Sequence, residues 1–198
     1  MVPISVTASN LVLGPARLLV GAFGATEPAD SDITPNGASY TFDSTYWTDV
    51  GGTDGGVTFE ADVTLTDLEV DQVTMPVGAR QTAIKMTVAA KLSEMTLANM
   101  NTALNSIGIT NSGGGYETLE IPVTSAATQP TYAALLIAGW APYASTAMAR
   151  WVIVRKVLNQ TKATLVYDKK TQQSYDCSWT SYYISDTINP VHVVDELT

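Results

Sequence analysis

From Val57 the chain alternates: Val57, Phe59, Ala61, Val63 and Leu65 share one face, and Thr58, Glu60, Asp62, Thr64 and Thr66 share the other. A period of two over this length predicts a long half-buried β-strand. Met75-Pro76-Val77-Gly78 reads as a turn. After it Thr82, Ile84, Met86, Val88, Ala90 and Leu92 alternate with Gln81, Ala83, Lys85, Thr87, Ala89 and Lys91. The two runs predict an antiparallel hairpin over 57–92. Both exceed the usual five or six residues of a strand, so the hairpin is expected to project beyond a single domain.

Elsewhere the same reading finds mostly strands. Leu11 to Val20 is apolar but broken at Gly14-Pro15, and 116–123, Tyr132–Ile137, Arg150–Leu158, Ala163–Tyr167 and Ser174–Tyr183 are strand-like. Lys169 to Gln172 reads as an exposed hairpin tip. One short helix is expected over 96–105. Thr96 caps it, Leu97, Met100 and Leu104 recur at helical spacing, and Asn105 and Gly108 end it. Residues 24–56, with Pro28, Pro35, Asn36-Gly37 and the run Gly51 to Gly56, have loop composition. The expectation is one mainly β domain over 1–198, a β-sandwich or barrel with one short α-helix.

Charge sharpens this picture. Charged residues make up 15% of the 198 and hydrophobic ones 45%, against a usual charged share of about 25%. Disorder is excluded, and a surface so poor in charge is expected to be covered by something. Net charge is −9, which argues against tight binding to nucleic-acid phosphates. The distribution is lopsided: residues 1–71 hold eleven acids against Arg17 alone, whereas 72–198 sum to +1. Cys177 is the single cysteine, so no internal disulfide can form and a reducing compartment is expected. The first residues show no basic stretch followed by an apolar one, and 121–149 is too polar and proline-interrupted for a bilayer span.

Catalytic chemistry finds little support. The one histidine, His192, lies far from any cluster with metal-ligand spacing and is expected half-buried in a terminal strand. Gly51 to Gly56 lacks a following lysine and opens onto a strand, unlike a phosphate cradle. Glu60 and Asp62 lie about 6.5–7 Å apart along one strand face, a separation like that of a glycosidase pair. Such a pair arises on any polar strand face. Asp49, Asp54 and their neighbours are calcium candidates, since Asp-Gly loops bind that ion, but their spacing fits no EF-hand. No enzyme activity and no cofactor are expected. Asn159-Gln160-Thr161 has the form of a glycosylation acceptor.

Three stretches in order, Trp47-Thr48-Asp49-Val50-Gly51-Gly52-Thr53-Asp54-Gly55-Gly56-Val57, Glu69-Val70-Asp71-Gln72 and Glu94-Met95-Thr96-Leu97-Ala98-Asn99-Met100, resemble the tail tube (major tail) protein of long-tailed bacteriophages. So does Leu136-Ile137-Ala138-Gly139-Trp140-Ala141-Pro142 ahead of a basic strand. The likeness spans about residues 10–195. It implies a structural virion protein whose homohexameric rings stack into a tube, with about four strands per subunit lining a channel through which double-stranded DNA passes without tight binding. It implies tail tip, tape measure and terminator proteins as further partners, and assembly in the host cytoplasm without a membrane. On this resemblance Thr58, Glu60, Asp62, Thr64 and Thr66 face the lumen. Asp30, Asp32, Asp43, Trp47 and Asp49 belong to a ring-stacking loop that folds when the next ring docks. The alternative reading is a β-sandwich binding module for carbohydrate or a surface partner, with Trp140, Trp151, Trp179, Tyr182 and Tyr183 as its binding face.

Overall fold

The computed structural model describes residues 14–33, 40–123, 127, 129–142, 148–170 and 172–197. The expected Leu11–Leu13 and Pro35–Gly37 features lie outside these residues. The fold is mainly β and antiparallel, with a single α-helix among the described residues. The strands are β1 Arg17–Ala22, β2 Trp47–Asp49, β3 Thr53–Leu68, β4 Gly78–Leu92, β5 Ile109–Gly113, β6 Tyr116–Glu120, β7 Ala133–Ala141, β8 Met148–Asn159, β9 Tyr175–Ser181 and β10 Val191–Asp195. The helix α1 is Leu97–Ala103.

Strands run in the order β2-β1-β7-β8-β9-β4-β3, and β10 also pairs β8. One edge of β8 is held by β7 along its length. The other is shared: Arg150–Val154 pairs β10 and Val157–Asn159 pairs β9. There the sheet divides and folds over itself, so that Val88, Ala90, Cys177 and Trp179 from β4 and β9 pack against Leu18, Leu135, Val154 and Val157 from β1, β7 and β8.

The period of two in β1, β7 and β8 sends the intervening residues Leu19, Leu136, Trp151 and Ile153 to the opposite face. A strand sheet buried on both faces reads as a continuous apolar run, as Ala-Ala-Leu-Leu-Ile-Ala does here. The cover on this second face is the acidic stretch itself, through Ile33, Phe42 and Trp47. The described part of the 24–56 stretch, expected to fold against a neighbouring ring, packs here on the sheet of its own chain. Asp30, Asp43, Asp49 and Asp54 face water, Glu27 is half-buried against Arg155, and the apolar residues close the core.

The helix is shorter than expected but has the cap read from sequence: the Asn99 N–H donates to Thr96 Oγ1 at 3.1 Å. It ends as Asn105 and Ser106 enter the left-handed region, at φ 56° and 55°. Asn99 is buried and its amide donates to Val50 O and Glu94 O, which ties the helix to the loop after β2. Asn159, the residue of the glycosylation-like triplet, is buried as well. Its amide nitrogen donates to Ala103 O and its oxygen accepts from the Ser178 N–H.

Three local readings change. Strand β3 starts at Thr53, ahead of Val57, because Gly55 and Gly56 form a bulge at φ 77° and 84° rather than a turn. The Gly113 to Gly115 stretch is the tip of a separate two-stranded hairpin, β5–β6, that the sequence did not reveal. Ala163–Tyr167 is not a strand: it lies outside every ladder, exposed from Thr164 onward.

A candidate assembly surface on the projecting hairpin

Among the described residues strand β3 pairs only with β4, and β4 pairs with β9 only over Thr87–Leu92. Beyond Thr87 the described hairpin is therefore two-stranded, with a row of backbone N–H and C=O groups along each edge that no other described strand pairs. Gly78 to Met86 carries it about 30 Å past the three-stranded part at 3.4 Å per residue. Isolated two-stranded hairpins are marginal in water, and long edges of this kind are sites of association.

The two faces of the hairpin differ. On one, Val88, Ala90 and Leu92 are buried in the core. The same stripe runs outward as Val63 (47% exposed), Leu65 (61%) and Ile84 (53%), which have no cover within the subunit. At the tip Val70, Val73, Met75 and Val77 are exposed too. A core face that continues past the core calls for another molecule to cover it.

On the other face lie Thr58, Glu60, Asp62 and Thr64, paired with Ala89, Thr87, Lys85 and Ala83, and then Thr66 paired with Arg80. All five residues assigned to a lumen are exposed and lie on β3. A bulge between Thr64 and Leu65 puts Gln81, not Thr82, opposite Leu65. The Thr82 hydroxyl accordingly meets that of Thr66 at 3.3 Å. Thr82 thus leaves the apolar face on which strict alternation places it. The bulge has no signature in the sequence beyond the crowding of Arg80, Gln81 and Thr82. With Lys85 opposite Asp62 and Arg80 opposite Thr66, this face balances its charges instead of being uniformly acidic. Along the two free edges the charges separate, with Asp62 and Asp67 on β3 against Arg80 and Lys85 on β4.

The residues assigned to a ring-stacking loop do not gather into one exposed patch. Trp47 is 3% exposed, and its indole N–H donates to Thr26 O. Asp49 accepts from Arg17 at 2.8 Å and from the Gly51 N–H, holding the turn after β2. Asp43 caps the Thr45 N–H, which lowers its pKa. Asp32 accepts from the Ala29 N–H and the Tyr40 hydroxyl. Asp30 sits in the 3₁₀ turn Asp30–Asp32, 3.6 Å from His192 Nε2. Asp32, Asp43 and Asp49 accept hydrogen bonds within the chain, and Trp47 is taken up by its core.

Beside them a charged cluster fastens this acidic stretch to the sheet. Glu27 accepts two hydrogen bonds from Arg155 of β8, at 2.5 and 2.8 Å, and His192 of β10 lies 3.7 Å away. The Arg155 guanidinium holds the Glu27 carboxyl below the usual range, against the opposing effect of burial. Among the described residues no group of three or more His, Cys, Asp or Glu is placed to hold a metal ion. Asp54, the second calcium candidate, pairs with Lys91 at 3.1 Å. Of the aromatic residues of the alternative binding face, Trp151 and Trp179 are fully buried, whereas Tyr183 is exposed. No helix of the described residues is long and apolar enough to cross a membrane. No protein-family model matches the chain, and no curated protein matches it.

Proposed function

We propose that this chain is a structural subunit that assembles with copies of itself, through the projecting hairpin, into stacked hexameric rings forming the tail tube of a long-tailed bacteriophage. The observation that carries this reading is the apolar stripe left in water on a two-stranded hairpin with two unpaired edges. The edges complement each other, acidic on β3 and basic on β4. Pairing the β3 edge of one copy with the β4 edge of the next is a head-to-tail contact, and such contacts close into rings when the rotation permits.

The bore sets a condition on the wall. Hairpins alone from six copies supply roughly twelve strands, which at ~4.8 Å spacing and ~45° tilt close at about 26 Å between backbones. Side chains narrow this to about 16 Å, less than a duplex of about 20 Å. Adding β9 raises the count to roughly eighteen strands, about 39 Å between backbones and about 29 Å between side chains. A DNA-conducting hexamer therefore needs more than the two hairpin strands of each copy in its wall, in keeping with the about four strands per subunit that the resemblance implies. The polar face of the hairpin, with Thr58, Glu60, Asp62, Thr64 and Thr66 beside Lys85 and Arg80, carries balanced charge and does not grip a polyanion that must slide past. Delivery of double-stranded DNA into a bacterial host, contacts with tail tip, tape measure and terminator proteins, and a place in the virion tail after assembly in the host cytoplasm belong to the same proposal.

Negative-stain electron microscopy of the purified protein over a concentration series tests it. Rings or hollow tubes with a bore above about 20 Å are expected. A strict monomer at every concentration that binds members of a sugar panel would instead favour the binding module.

A further inference from the structure

We infer that the turn at the far end of the hairpin, residues 69–77, docks on the 162–170 segment of a second copy, and that Ala163–Tyr167 becomes a strand on docking. This names the stacking contact of the assembly proposed above and rests on that reading.

Three observations carry it. The first is that Ala163-Thr164-Leu165-Val166-Tyr167 has the composition of a strand yet lies in no ladder. No backbone–backbone hydrogen bond joins 162–167 to another described residue. Leu165, Val166 and Tyr167 are 42%, 59% and 83% exposed. The segment already alternates, since Thr164, Val166 and Asp168 line a cavity of about 440 Å³ with Lys91 and Asp176 while Leu165 and Tyr167 do not. A segment of strand composition that no described residue pairs gains backbone bonds along one edge when a second strand joins it.

The second observation is charge. The end of the hairpin bears Asp67, Glu69 and Asp71, interleaved with exposed Leu68 and Val70. The receiving segment bears Lys162, Lys169 and Lys170, with Asp168 the one acid among them. Apolar residues meet apolar residues while the flanking charges are opposite, which fixes the partner as another copy of this chain.

The third is position. Leu92 pairs with Tyr175, so the chain leading into β9 lies past the base of β4, whereas 69–77 lies past its other end. The two features are separated by the fifteen residues of β4, about 50 Å at 3.4 Å per residue. Between copies that point the same way, a contact joining opposite ends is head-to-tail and propagates along the hairpin axis as an open stack.

The test is disulfide trapping in the full chain, with Val70→Cys in one preparation and Val166→Cys in a second carrying a longer tag. Cys177 is buried and does not compete. The mixed dimer is expected to exceed either homodimer after mild oxidation. Reversing Lys162, Lys169 and Lys170 to Glu in one partner should lower it about tenfold or more at low salt, and reversing Asp67, Glu69 and Asp71 to Lys in the other should restore it. Homodimers as abundant as the mixed dimer, no trapping at any concentration, or indifference to the charge reversals each overturn the inference. A parallel mixture of Val63→Cys and Ile84→Cys reports on ring contacts through the hairpin edges. Trapping there without trapping between 70 and 166 sinks the stacking contact alone, and failure of both sinks the assembly as well.

Discussion

Replacing Val63, Leu65 and Ile84 together with Thr separates a surface built for a partner from a surface that belongs to the core. Thr preserves β-branching where it replaces Val and Ile and adds no charge, so strand preference and the edge electrostatics are nearly unchanged. The three side chains are 47%, 61% and 53% exposed in the subunit. Fully burying such a residue is worth ~1.5–3 kcal/mol, so covering the remaining half recovers about 1 kcal/mol each. The triple variant should lose about 3 kcal/mol per contact, or roughly 10²-fold in association constant. Sedimentation velocity over a concentration series reads this as a higher assembly threshold, and a thermal melt of dilute protein reads the subunit. The melt should move by no more than about 4 °C, the equivalent of ~1 kcal/mol for a chain of this size. Val88→Thr, on the same face but 1% exposed, is the control. It buries an unpartnered hydroxyl and should cost about 1–3 kcal/mol of subunit stability. An unchanged assembly threshold in the triple variant, or a melt lowered as far as in the control, would refute the reasoning.

Three further outcomes follow from particular groups. Asn159→Ala leaves the Ala103 carbonyl and the Ser178 N–H without their buried partner and should destabilise by about 2–3 kcal/mol in a denaturant titration. Glu27 has its pKa lowered in the native state by Arg155, so its contribution is complete above the unfolded value near ~4.3 and is lost as pH falls through the lower native value. Arg155→Met should therefore be less stable at neutral pH and show a flatter loss of stability below about pH 5; an acid limb parallel to that of the original protein would contradict the assignment. The Cys177 thiol, pushed up to about 12 by burial and by the nearby Asp176 carboxylate, should not react with a thiol reagent in the native protein at pH 8 and should react fully in denaturant.

Much of the fold was legible because period-two alternation is a local property. The long hairpin, the Thr96 cap and the terminal-strand place of His192 all follow from residues within a few positions of one another. Where the reading failed, the deciding feature was distant or left no trace in the pattern. Thr82 changes face because of a bulge in the ladder, and alternation carries no record of it. Ala163–Tyr167 has strand propensity without a neighbour to pair with, and propensity cannot supply the neighbour. The composition of the 24–56 stretch concealed that Ile33, Phe42 and Trp47 complete a second core, since a few apolar residues among many acids look the same whether they are buried or not. The candidate assembly surface was likewise half visible. Sequence by itself determined which residues share the hairpin faces everywhere but at the bulge by Thr82, because side chains on a strand alternate. Only the tertiary structure decided where that apolar face leaves the core, because this depends on β9 stopping opposite Thr87 while β3 and β4 run on.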